Sequence, residues 1–90
     1  MEIGAHIIVR GQVQGVGFRF FVHNWVHKLG LRGFVKNLYN GEVEIQVEGA
    51  RSLIEELIRE VKIGPRSAGV TGVQIDWRKA DQHFINFNIL

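Results

Sequence analysis

Residues 5–29 read Ala-His-Ile-Ile-Val-Arg-Gly-Gln-Val-Gln-Gly-Val-Gly-Phe-Arg-Phe-Phe-Val-His-Asn-Trp-Val-His-Lys-Leu, and two periodicities meet inside them. Residues 5–12 are short and rich in β-branched side chains, which predicts a strand. That strand enters a loop punctuated by Gly11, Gly15 and Gly17. From Phe18 the apolar positions are Phe18, Phe21, Val22, Trp25, Val26 and Leu29, the i, i+3, i+4, i+7, i+8, i+11 stripe of an amphipathic helix. Lys28 supplies a basic last turn and Gly30 a C′ glycine, so the helix is expected over about 19–29.

Outward from this unit, residues 31–38 and 42–48 read as two strands joined through Tyr39-Asn40-Gly41, because Asn-Gly readily takes the positive φ values of a tight hairpin. In the second of these strands Val43, Ile45 and Val47 alternate with Glu42, Glu44, Gln46 and Glu48, which predicts one buried face and one wet, acidic face. Leu53, Ile54, Leu57, Ile58 and Val61 make a second helical stripe, with Glu55, Glu56, Arg59, Glu60 and Lys62 outside it and a stop at Gly64-Pro65. Val73, Ile75 and Trp77 alternate with polar residues, as do Ile85, Phe87 and Ile89, giving two more strands, the last a short edge strand. The order is βαββαβ plus a short C-terminal strand, and both helices must bury their stripes on one face of an antiparallel sheet. This α+β arrangement is a ferredoxin-like α/β sandwich, a fold that hosts enzymes, RNA-binding modules and regulatory domains alike, so function has to be argued from a site.

Ninety residues leave room for one domain, expected to span 1–90. With 46% hydrophobic and 22% charged residues the chain has the composition of an ordinary globule. The absence of cysteine removes disulfides, thiol catalysis and cysteine-based metal centres, and fits a reducing compartment. No basic region followed by an apolar stretch opens the chain and no apolar run approaches 18 residues, so a cytoplasmic location without membrane contact is expected, with the chain acting as a monomer. Net charge is only +2, yet residues 1–41 carry Arg10, Arg19, Lys28, Arg32 and Lys36 against Glu2 alone. A localised anion site in the first half is the natural expectation.

The segment Gly11-Gln12-Val13-Gln14-Gly15-Val16-Gly17-Phe18-Arg19 suits an anion. Glycines let successive N–H groups converge on one point, and the orphan N–H groups of a helix's first turn add partial positive charge. Arg19 in that turn opposes the helix dipole unless an anion is bound there, in which case its guanidinium adds paired, charge-assisted hydrogen bonds. No Gly-Lys-Ser/Thr follows, and Phe20 stands where a dinucleotide fingerprint needs its third glycine, so neither nucleotide motif applies. Taken alone, a glycine-rich connection beside a surface arginine explains the segment about as well as an anion site does.

The string at 11–19 closely resembles the first signature of the acylphosphatase family. Gly33-Phe34-Val35-Lys36-Asn37, with Gly41, Val43 and Gly49 at their spacings, resembles the second. Together the two signatures imply the ferredoxin-like fold and hydrolysis of the carboxyl–phosphate anhydride of acyl phosphates without metal or cofactor. The resemblance further implies that Arg19 and the backbone amides of Gln14, Gly15, Val16, Gly17, Phe18 and Arg19 bind the phosphoryl group. Asn37 would then orient the attacking water, and inorganic phosphate or sulfate would compete with substrate. Without the second signature Asn37 reads as a strand-end residue satisfying a local turn.

Two rival readings remain at this point. An RNA-recognition module shares the topology and an Arg32-Gly33-Phe34 fragment, but Glu42, Glu44, Gln46 and Glu48 occupy the strand where such modules present stacking aromatics, so no nucleic-acid partner is expected. A domain that binds an acyl phosphate without turnover is not separated by sequence from an enzyme. His23 and His27 have metal-ligand spacing, yet no further ligand completes a set and both read as solvent-facing helix residues, while His6 and His83 stand isolated. Residues 63–69 carry no readable signal.

Overall fold

The computed structural model describes residues 1–90. Its elements are β1 (Glu2–Gln12), α1 (Phe18–Leu29), β2 (Arg32–Asn37), β3 (Val43–Ala50), α2 (Arg51–Ile63), β4 (Gly69–Arg78) and β5 (Phe87–Ile89). The sheet order is β4-β1-β3-β2-β5. Ile7, Val9, Val35 and Ile45 point from the sheet toward Phe18, Val22 and Val26 of α1 and Ile54, Leu57 and Val61 of α2, in one fully buried cluster. Each such side chain contributes about 1.5–3 kcal/mol of burial, which carries a chain of this size without covalent staples.

The expected sandwich is present, with three departures. First, β5 pairs with β2 in parallel, Gly33 opposite Phe87 and Val35 opposite Ile89, so the sheet is mixed rather than antiparallel. The cause is topological: β4 and β5 lie at opposite edges, and residues 79–86 must run past the intervening strands to join them. Second, that crossing segment covers Glu48, which is only 2% exposed and accepts a hydrogen bond from the Gln82 N–H at 2.8 Å. Glu48 thus leaves the wet acidic face on which alternation places it, and Glu42, Glu44 and Gln46 are half-buried there. His6, isolated in sequence, meets Glu44 on that face at 2.7 Å.

Third, within the expected Tyr39-Asn40-Gly41 connection Asn40 does not take positive φ. Gly41 alone has positive φ, at 93°, while the Gly41 N–H donates to Leu38 O at 3.2 Å and the Leu38 N–H to Glu42 O at 2.8 Å. This is the three-residue connection that a glycine in the left-handed region permits.

Candidate active site

β1 ends at Gln12 and α1 begins at Phe18, and the residues between them cannot be a plain loop. Val13 is buried and fixes where the loop leaves the strand. Gly15 and Gly17 then take φ of 74° and 75°, a region costing a residue with a Cβ roughly 1–2 kcal/mol. A Cβ at either would meet nothing within 4 Å, so the backbone conformation, not space, demands glycine there. Gly17 caps α1 without a side-chain hydrogen bond, and the first turn holds no acid. No main-chain N–H of residues 14–20 donates to another main-chain group. The result is a run of free donors on a helix's positive end, a geometry that cradles an anion.

Of this run, Gly15, Gly17, Phe18, Arg19 and Phe20 line a cavity of about 240 Å³, while Gln14 and Val16 do not. The loop contributes Val13, Gly15 and Gly17 to it, α1 contributes Phe18, Arg19 and Phe20, β2 contributes Asn37, and β5 contributes Ile89. Arg19 and Asn37, eighteen positions apart in sequence, therefore share one wall system. Arg19 Nη1 donates to the main-chain oxygen of Leu90 at 2.8 Å, which orients the guanidinium while leaving its other donors available. Asn37 Oδ1 is buried without any hydrogen-bond partner. An unpaired buried acceptor costs about 1–3 kcal/mol, and this one is free to accept from a donor that the chain itself does not supply.

Four hydrogen bonds brace this region, and none of them is visible as a pattern in the sequence. Gln14 Nε2 donates to Leu38 O at 2.7 Å and to Glu42 O at 2.8 Å, tying the cradle to the turn that follows Asn37. Ser67 Oγ donates to Val16 O at 2.8 Å, which gives the 63–69 connection a role in bracing the cradle. Leu90, at the end of the edge strand, braces Arg19. Gln14, which does not line the cavity, thus braces it through its side chain. Behind the turn, the Glu42 carboxyl is held below the usual carboxylate range by its hydrogen bond from Asn40 and by Arg10, whose Nε lies at 2.6 Å.

Arg19 is the sole ionisable residue lining the cavity. No acid or base stands there to shuttle a proton, and the positive field falls on the cradle. Phe20 and Ile89, which no site reading of the sequence included, complete the lining. Phe20 carried one signal: it is a large aromatic off the helical stripe. His23 and His27 stack with centroids 6.4 Å apart, and nowhere do three His, Asp or Glu gather in a metal-ligand set. No helix is long and apolar enough to cross a membrane.

Comparison with known proteins identifies the family. The sequence pattern of the acylphosphatase family matches residues 5–89. The chain is 41% identical over 89 residues to an acylphosphatase of Chlorobaculum tepidum, covering 99% of this chain and 97% of that one. It superposes on the crystal structure of acylphosphatase from Bacillus subtilis with a TM-score of 0.95, at 36% identity and 98% coverage of both chains. It also resembles part of T. kodakarensis HypF, with TM-score 0.85 and 35% identity, covering 98% of this chain but 12% of that protein.

Proposed function

The chain belongs to the acylphosphatase family, hydrolases acting on acyl phosphates, and from that premise we propose how its own residues carry the reaction. The N–H groups of residues 14–19 and the Arg19 guanidinium hold the phosphoryl oxygens. Asn37 Oδ1 accepts a hydrogen bond from a water and aims its oxygen at phosphorus, opposite the bond to the acyl oxygen. The water's P–O bond forms as the acyl P–O bond breaks, the carboxylate departs with the bonding pair, and the water's proton passes to a phosphoryl oxygen. An acyl phosphate dianion and water thereby yield a carboxylate and dihydrogen phosphate. A carboxylate is a good leaving group, and a loose phosphoryl-transfer transition state asks mainly for positioning and charge on the equatorial oxygens. Arg19 and the amides meet that demand without a general base, a metal or a cofactor.

The observation that carries this reading is the buried, unpartnered Asn37 Oδ1 in the same cavity as Arg19. The test is steady-state hydrolysis of an acyl phosphate in excess EDTA with inorganic phosphate or sulfate added. Turnover should persist, and either anion should inhibit competitively. Loss of activity restored by a divalent ion would sink the mechanism. Phosphate binding without turnover would make the chain a binding module.

A further inference from the structure

Phe20 is 69% exposed, on a helix whose other large apolar residues turn inward. Single exposed apolar residues are ordinary, and Tyr39, Ile63 and Ile85 are more exposed still. Phe20 differs from those three in lining the cavity that holds Arg19 and Asn37. Ile89, half-buried on the edge strand β5, lines it too. The strand is parallel to β2, with Ile89 paired to Val35 two residues before Asn37, so an apolar side chain is set beside the strand end that carries the amide.

Resting on the acyl-phosphate reading above, we infer that Phe20 and Ile89 form a subsite for the acyl substituent of the substrate, and that this subsite selects neutral apolar, ring-sized acyl groups. Three observations converge on that occupant. The cradle and Arg19 engage the phosphoryl end, so whatever is bonded to it must extend into the remainder of the same cavity. At about 240 Å³ that cavity exceeds the roughly 150 Å³ that accommodates benzene, which leaves room beyond a phosphoryl group. The lining offers no carboxylate for a cationic acyl group and no second cation for an anionic one, since Arg19 is committed to phosphate and to Leu90. A charged or strongly polar substituent finds no partner on Phe20 or Ile89, whereas an aromatic ring gains contact area and an edge or face of Phe20.

The experiment compares kcat/KM for benzoyl phosphate and acetyl phosphate, each corrected for its uncatalysed hydrolysis rate, in the wild type, Phe20→Ala, Phe20→Leu and Ile89→Ala. A hydrophobic subsite discriminates by factors of about 10 to 200 per small group. Phe20→Ala should therefore lower kcat/KM for benzoyl phosphate about tenfold more than for acetyl phosphate, chiefly through KM, with Phe20→Leu recovering part of the difference. Because Phe20 lies on the exposed side of α1 the variant should fold, and circular dichroism together with inhibition by inorganic phosphate would verify that the cradle is intact. Ile89→Ala should shift the ratio in the same direction. Equal effects on the two substrates, or none, would overturn the subsite while leaving acyl-phosphate hydrolysis standing. Absence of turnover with both substrates in the wild type would instead overturn the parent reading and the subsite with it.

Discussion

The N-terminal ends of the two helices form a natural control for each other. Both α1 and α2 begin without a side-chain cap, neither has an acid in its first turn, and each carries an arginine there, Arg19 and Arg51. At α2 the strand β3 runs straight into the helix through Ala50, whose φ of −65° is ordinary backbone. Arg51 lies over the Trp77 ring at 4.3 Å and reaches Glu55 at 3.4 Å, so its charge is already occupied on the surface. At α1 the residues between β1 and the helix include two left-handed glycines, and Arg19 meets the Leu90 main-chain oxygen and no acidic side chain. A bare helix N-terminus with an arginine is thus not a site. What sets α1 apart is that unbonded loop N–H groups, two left-handed glycines and Asn37 from a second element stand beside its arginine, the arrangement on which the proposed phosphoryl site rests.

Breaking that contrast at the arginines should give the largest effect. Arg19→Gln should lower kcat/KM for an acyl phosphate by roughly 10³-fold or more and weaken inhibition by phosphate, because a charge that faces the phosphoryl oxygens in ground and transition states is lost. Arg19→Lys should fail nearly as badly, since a point charge does not replace the planar fork. Arg51→Gln should leave both parameters within about twofold, as an exposed, already paired cation contributes little. Similar losses from Arg19→Gln and Arg51→Gln would erase the distinction between the two helix ends.

Next in size is Asn37→Ala, which should reduce kcat by about 10²–10³-fold while phosphate affinity, followed by titration calorimetry, stays nearly unchanged. Its melting temperature should not fall on account of lost hydrogen bonds, because the buried Oδ1 has none to lose. Phosphate binding that collapses with this change, or activity that survives it, would return Asn37 to a purely local role at the strand end.

A smaller effect lies in the caps themselves. Ala50 has extended backbone suited to an N-cap, so Ala50→Ser should stabilise the fold by about 0.5–1 kcal/mol in urea unfolding. The same chemistry at Gly17 should do the opposite: Gly17→Ser forces a side chain into φ of 75° and should cost roughly 1 kcal/mol. Equal outcomes at the two positions would mean that the left-handed glycine is not what separates the start of α1 from that of α2.

The smallest effect is a pH dependence behind the β2–β3 turn. The hydrogen bond from Asn40, then Arg10, lowers the Glu42 carboxyl pKa in the folded state, so Glu42 adds stability above its unfolded pKa and loses it as pH falls through the lower folded value. Thermal melts of the wild type and Glu42→Gln should separate slightly above the unfolded carboxylate range and converge only below the lowered folded value. A separation that grows toward acid would reverse the sign and exclude the assigned cause.

Much of this was legible in the residues themselves. The change of period at Phe18, the alternation in Val43-Ile45-Val47 and the stop at Gly64-Pro65 report local backbone and burial preferences, which neighbours in sequence decide. Gly15, Gly17 and Arg19 were legible for the same reason, because a left-handed turn into a helix start is a local event. The turn at Gly41 shows the margin of error: its position was readable, but which residue takes positive φ depended on Leu38 pairing with Glu42.

What only the tertiary structure decided are the meetings between distant segments. The crossing of 79–86 buried Glu48 and brought β5 in parallel beside β2, so that Leu90 reaches Arg19 and Ile89 the cavity wall. Gln14 found the turn after Asn37, Ser67 found Val16, and Asn37 was left beside the cradle with its Oδ1 unpaired. Such contacts leave no periodic trace in sequence, because they depend on sheet order and on which buried polar atoms find partners once the chain is packed. The amino-acid sequence determined the strand, the glycine turn and the helix of the proposed anion cradle; the packed sheet determined that Asn37, with its Oδ1 unpaired, and the apolar Phe20 and Ile89 would line the same cavity.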